Sequence, residues 1–248
     1  MCEGDLVHII DDDASIRDVV GELLSTVSVD SRKYASLRQF FSADRPDVPG
    51  CIVLDVRLPG GTSGLEYLKR FADLGIKLPV VMTTGYGDVE MSVRAMKAGA
   101  ADFLPKPFRA QEMIDAVAAA LERDRQRRAI EADRARSRER FALLSSREKQ
   151  ILTLVASGFM TKQVAWKLGI SEASAKVCRS VVMRKMELRS VADLVRLVDQ
   201  LGSYMAGEVA IATSAAQSDC TGRSSNTRQA TSQTHVRILA QECEPVRP

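Results

Sequence analysis

The sequence predicts a doubly wound α/β domain on a five-stranded parallel sheet, followed by a compact all-α domain. Three observations carry this. In the first half, short and nearly continuous apolar runs alternate with amphipathic stretches, the pattern of parallel strands buried on both faces under helices. Residues 121–141 have neither Gly nor Pro and are almost wholly Arg, Glu, Asp, Ala and Gln, which reads as one charged helix. Residues 145–201 then show helical apolar periodicity broken at Gly158 and Gly169.

In chain order, Leu6-Val7-His8-Ile9-Ile10, a weaker run over 29–34, Cys51-Ile52-Val53-Leu54, 78–82 and Asp102-Phe103-Leu104 are the expected strands. Helical patterns follow over 15–27, 36–41, 65–74, 89–98 and from 110 onward. The last continues into the charged stretch, where acidic and basic side chains can pair at helical spacing. Its apolar positions, Leu121, Ala129, Ile130, Ala132 and Ala135, are too sparse for a coiled-coil seam. Ser145 and Glu148 form a capping box that opens a helix through Val155. Residues 161–168 and 171–186 are the next two helices, joined by a tight turn at Gly169-Ile170, and 190–201 is a fourth with Ser190 and Asp193 at capping-box spacing. Beyond Ser203 the composition turns to Ser, Thr, Gln, Ala and Gly, so a disordered tail is expected.

Composition narrows the function classes. No apolar run approaches the roughly 18 residues that cross a bilayer. The acidic opening Met1-Cys2-Glu3-Gly4-Asp5 is not expected to be a signal peptide, so a cytoplasmic protein without membrane contact is expected. Five scattered cysteines and two histidines leave little to build a zinc site from. The net charge of +3 is small, but basic residues gather from Arg123 onward and acidic clusters lie before it. That asymmetry points the second half toward a polyanion.

In a doubly wound sheet, ligands bind beyond the carboxyl ends of the strands. Asp11, Asp12 and Asp13 follow the first strand, Asp55 ends the third, Thr84 follows the fourth and Lys106 follows the fifth. Crowded carboxylates call for a hard divalent cation with oxygen ligands, such as Mg²⁺. The segments Ile10-Asp11-Asp12-Asp13, Leu54-Asp55-Val56-Arg57-Leu58-Pro59-Gly60, Thr83-Thr84-Gly85 and Phe103-Leu104-Pro105-Lys106-Pro107-Phe108 resemble the receiver domains of two-component response regulators. The resemblance implies a flavodoxin-like receiver in which Asp55 accepts a phosphoryl group. It further implies that Asp11, Asp12, Asp55 and the Arg57 carbonyl hold Mg²⁺, that Thr84 and Lys106 contact the phosphoryl group, and that Phe103 is the switching aromatic. Asp13 stands where the family often has Glu and is read as a helix N-terminal residue. The loop Pro59-Gly60-Gly61-Thr62-Ser63-Gly64 reads as one residue longer than is usual, which would alter the lifetime of the phosphoryl group.

In the second half, Leu144-Ser145-Ser146-Arg147-Glu148, Lys162-Gln163-Val164-Ala165, Leu168-Gly169-Ile170-Ser171, Lys176-Val177, Arg179-Ser180 and Arg184-Lys185 resemble the LuxR-type helix-turn-helix of the NarL/FixJ class. Ala175, Cys178, Val182 and Met186 recur at helical spacing and are expected to face the core. The family commonly has His at Cys178 and a larger β-branched residue at Ala175. Lys176, Ser180 and Arg184 line another side of the same helix. Lys176 and Val177 are expected to reach base edges, and Thr161, Lys162, Arg179 and Arg184 to hold phosphates. The expected domains are a receiver over 1–120, a helical linker over 121–142, the DNA-binding domain over 143–202 and the tail over 203–248.

Together these imply a phosphorylation-dependent transcriptional regulator, not an enzyme, that receives its phosphoryl group from a sensor histidine kinase. It would form a homodimer when phosphorylated and bind double-stranded promoter DNA. The rival readings are a regulator that binds DNA whether or not it is phosphorylated, a receiver protein that titrates a kinase, and a small-molecule-sensing relative.

Overall fold

A computed structural model describes residues 4–58, 63–85 and 89–198. The chain divides into two compact units, 1–139 and 140–248. In the first, strands β1 (Leu6–Ile10), β2 (Asp30–Tyr34), β3 (Gly50–Asp55), β4 (Val80–Thr84) and β5 (Asp102–Pro105) alternate with helices α1 (Ala14–Thr26), α2 (Leu37–Ser42), α3 (Gly64–Arg70), α4 (Val89–Lys97) and α5 (Ala110–Ala142). The strands pair in parallel, in the order β2-β1-β3-β4-β5.

Strand alternation sends successive side chains to opposite faces, and here both faces are apolar. Val7, Ile9, Cys51, Val53, Val81 and Leu104 meet Val20 and Leu24 of α1 and Met113, Ala116, Val117, Ala120 and Leu121 of α5. Ile10, Ile52, Leu54, Val80 and Met82 meet Leu37 and Phe40 of α2, Leu65 and Leu68 of α3 and Ala95 of α4. β2 lies at the edge and buries little besides Tyr34.

The element bounds differ from the sequence expectation in ways that backbone chemistry explains. Pro79 has no N–H to give to the ladder, so β4 begins at Val80, two residues later than expected, and Thr84 is its last residue, not the residue after it. The helix expected over 65–74 ends at Arg70, and Gly75 at φ 73 closes the turn that follows. Leu121, assigned to the linker, belongs to the core under α5. The loop over 59–62 lies outside the described residues, as do the expected end of the fourth helix of the second domain and the tail.

The second unit holds α6 (Ser146–Ala156), α7 (Thr161–Leu168), α8 (Glu172–Lys185) and a helix over residues 191–198. The Ser145–Glu148 capping box starts α6, and Gly169 in the left-handed conformation ends α7. Phe141, Leu144, Ile151, Leu152, Val155, Val164, Val182, Met186, Leu194 and Leu197 form its core. Ala175 is also fully buried, and Cys178 packs at the margin of this core.

Candidate functional site

The chain reverses its direction of winding between β1 and β3, so a crevice opens beyond their carboxyl ends. The parallel register sets Ile10 beside Leu54, Asp55 beside Thr83 and Thr84 beside Pro105. Asp11, Asp55, Thr84 and Lys106 therefore share one rim. Asp11 and Asp55 are buried, and the Lys106 Nζ lies 2.6 Å from Asp11 Oδ2 and 3.3 Å from Asp55 Oδ2. One ammonium group thus bridges two carboxylates. Asp12 is exposed, and carboxylate oxygens of Asp11, Asp12 and Asp55 lie within 4.8 Å of one another.

Burial pushes the Asp55 carboxyl above its usual range and Asp11 adds to this, against the pull of Lys106 and of the Arg57 N–H, which donates to Asp55 Oδ1 at 3.3 Å. Burial would lower the Lys106 pKa, but its hydrogen bond to Asp11 and the charges of Asp55 and Asp11 outweigh that and raise it. The acidic group and its cation are thus held together in a partly desolvated pair.

Neighbouring backbone fixes the rim. Asp13 caps α1 by accepting from the Ser15 N–H at 2.8 Å, while its own N–H donates to Asp11 Oδ1 at 3.0 Å. Arg17 donates to the Asp11 carbonyl at 2.6 Å. Gly64 starts α3 directly against Asp55: a Cβ there would collide with the Asp55 carbonyl, so only Gly permits this approach. Thr84 is fully buried and its hydroxyl donates to Met91 Sδ of α4 at 3.9 Å. Phe103 is half-buried and packs against the core under α2, α3 and α4.

In the second unit, α7 and α8 are joined by a short turn, and α8 turns Ala175, Val182 and Met186 inward. Lys176, Val177, Ser180 and Arg184 are exposed, with Val177 at 63 %. A large apolar side chain left in water among cations on one helix face suits contact with the floor of a DNA groove. Arg179 is half-buried and donates to Thr161 Oγ1 at 3.3 Å, which ties α8 to the start of α7, where Lys162 is exposed. Ser180 spends its hydroxyl on the Lys176 carbonyl at 3.0 Å. Lys185 is paired with Glu148 at 2.7 Å.

Two family models match: the response regulator receiver domain over residues 7–118, and the luxR family of bacterial regulatory proteins over 142–198. Nodulation protein W of Bradyrhizobium diazoefficiens is 47% identical over 197 residues, covering 79% of this chain and 86% of that protein. The transcriptional regulatory protein FixJ of Azorhizobium caulinodans is 42% identical over 191 residues, covering 77% of this chain and 90% of its own. The chain is a two-component response regulator of the NarL/FixJ class. Among solved structures, response regulator StyR superposes with a TM-score of 0.68 at 38% identity, covering 79% of this chain and 99% of that one.

This response regulator is a phosphorylation-dependent, DNA-binding transcriptional regulator. Among the described residues no helix is long and apolar enough to cross a membrane. Arg17, Met91 and the close approach of Gly64 did not emerge from sequence reasoning. Nothing in a helix's own pattern marks a side chain that reaches back to a strand end, whereas Gly64 stood in a visible Gly-rich loop.

Proposed function

We propose that Asp55 accepts the phosphoryl group of a sensor histidine kinase and that the resulting charge controls dimerisation and promoter binding. The observation that carries this is the Lys106 ammonium bridging Asp11 and Asp55 at the shared strand rim. Three hard-oxygen carboxylates so close suit Mg²⁺, and Asp11, Asp12 and Asp55 with the Arg57 carbonyl would hold it. Bound there, the ion supplies neutralising charge to the transferring phosphoryl oxygens.

An Asp55 carboxylate oxygen attacks the phosphorus in line. The new O–P bond forms as the bond from phosphorus to the kinase imidazole nitrogen breaks, and that nitrogen keeps the bonding pair. Lys106 then transfers its pairing from the carboxylates to the phosphoryl oxygens. The Thr84 hydroxyl turns from Met91 to donate to the same group, and Phe103 fills the space vacated on the α4–β5 side. The added charge shifts an existing equilibrium toward the form that self-associates. Two recognition helices then read half-sites about one helical turn apart, with Lys176 and Val177 at base edges. Thr161, Lys162, Arg179 and Arg184 hold phosphates, and Ser180 lines the same face.

DNA binding and sedimentation of the wild type and Asp55→Asn, each with and without Mg²⁺ and a small acyl phosphate, test the proposal. The donor is expected to tighten DNA binding and promote dimers in the wild type alone. A fully phosphorylated wild type that neither dimerises nor binds more tightly would overturn it.

A further inference from the structure

Leu121 is the last α5 residue in the core of its domain, and seven of the ten residues of α5 from Glu122 to Glu131 are charged. Strand carboxyl ends lie at the Asp55 rim, and α5 runs back from β5, so the segment past Leu121 reaches the amino edge of the sheet. A helix with no apolar face would pivot or fray about Leu121 unless something else held it. Ion pairs and hydrogen bonds hold it here, and they reach the segments that enter four of the five strands. Arg125 pairs with Asp5 ahead of β1, Arg123 donates to the Ala101 carbonyl ahead of β5 at 3.1 Å, and Glu131 pairs with Lys77 ahead of β4 at 2.9 Å. Asp47, ahead of β3, meets Arg128 Nη1 at 2.5 Å.

At the centre is Asp124, whose side chain is fully buried. Its Oδ1 accepts from Arg127 Nε at 3.0 Å and Nη2 at 2.6 Å, and its Oδ2 from Arg128 Nε at 2.7 Å and the Gly50 N–H at 3.1 Å. Gly50 opens β3, the strand that ends in Asp55. A buried carboxylate with every acceptor direction filled is a rigid joint, because breaking one bond strands the remaining charges. The outer pairs, Arg128–Asp47 and Arg127–Glu131, are exposed and add little by themselves.

We infer that Asp124 is a positioning residue that locks residues 122–131 of α5, the start of the linker, to the amino edge of the receiver, so that a displacement of the receiver's α5 is carried into the linker helix beyond residue 131. The inference rests on phosphorylation at Asp55 controlling DNA binding. Without the joint, the helix turns about Leu121 and the displacement is lost before it leaves the domain. Asp124 touches no reacting atom, and it acts through the helix it holds.

The test compares the full-length wild type with Asp124→Asn, which keeps an acceptor for Gly50 and removes the charge. Acyl phosphate labelling and DNA affinity of the unphosphorylated form are expected to stay at wild-type levels. The gain in DNA affinity on phosphorylation is expected to fall by about fivefold or more. Hydrogen exchange across residues 122–131 is expected to quicken by roughly tenfold. Faster exchange with an undiminished gain would show a purely structural residue and overturn the inference, as would unchanged exchange. If Asp124→Asn does not fold, Arg128→Gln, which leaves Arg127 and Gly50 on the carboxylate, is read by the same criteria. A wild type with no phosphorylation gain overturns control by Asp55 itself, and is recognised before any variant is compared.

Discussion

His8, on the β1 face that meets α2, is 2 % exposed, with Nδ1 3.2 Å from the Tyr34 hydroxyl and its ring edge-on to Phe40. Burial lowers its pKa to about 4, and the positive charges of Arg32 and Arg45 add to the effect. An unfolded chain takes up this proton near pH 6.5, while the folded one refuses it until about pH 4. The contribution is therefore fully present above pH 6.5 and is lost as pH falls from there toward 4. Between pH 7.5 and 5 the loss should be about 2 kcal/mol, read from urea unfolding followed by circular dichroism. His8→Phe keeps an aromatic ring against Phe40 and has no proton to gain. Its stability should change less over this range by that same amount, and parallel pH profiles would show that His8 is not the group responsible.

At the scale of elements, α6 is held at its start by two reciprocal bonds: the Glu148 N–H donates to Ser145 Oγ at 3.3 Å, and the Ser145 N–H donates to Glu148 Oε2 at 2.8 Å. Since Ile151, Leu152 and Val155 of α6 pack beneath α8, a frayed first turn loosens the support of the recognition helix. Ser145→Ala should lower the stability of this unit by about 1 kcal/mol, measured by calorimetry, with intrinsic DNA contacts left intact. This cap was legible because it is local: a hydroxyl and a carboxylate three residues apart declare it. The strands were legible for a related reason, since Val7 and Ile9 against Ile10, and Val53 against Ile52 and Leu54, show two apolar faces that only a covered parallel sheet satisfies. So was the rim, because Asp55 and Lys106 stand at strand ends that the topology must bring together. The α5 extension was not legible. Asp124 sits in a charge run indistinguishable from a solvated face, and its burial depends on Gly50, 74 residues away in sequence. The Thr84–Met91 contact was hidden likewise, because the helix pattern of α4 says nothing about which side chain meets a strand end.

At the scale of the whole molecule, among the described residues, the carboxylates of Asp11, Asp12 and Asp55 gather at the strand rim of the first unit, while exposed cations stand on α7 and α8 of the second. Exposure and pairing set these cations apart from one another. Lys185 is committed to Glu148, whereas Lys162, Lys176 and Arg184 are exposed, and Arg179 is steered by Thr161 toward the start of α7. Each phosphate neutralised releases counterions, so log K falls with log salt at about −0.9 per phosphate. With Lys162, Arg179 and Arg184 on phosphates in both protomers of a bound dimer, the slope should be about −5. Arg184→Ala removes one contact from each protomer and should make the slope shallower by about 2, weakening binding to all sequences alike. Lys185→Ala should leave the slope unchanged, since that charge is already spent within the domain. Val177→Ala should also keep the slope but relax preference at the base pair it touches by about 1 kcal/mol. Affinity titrations across a salt series with specific and scrambled duplexes separate the three. Equal slope changes for Arg184→Ala and Lys185→Ala would mean that DNA approaches by another face of the helix-turn-helix.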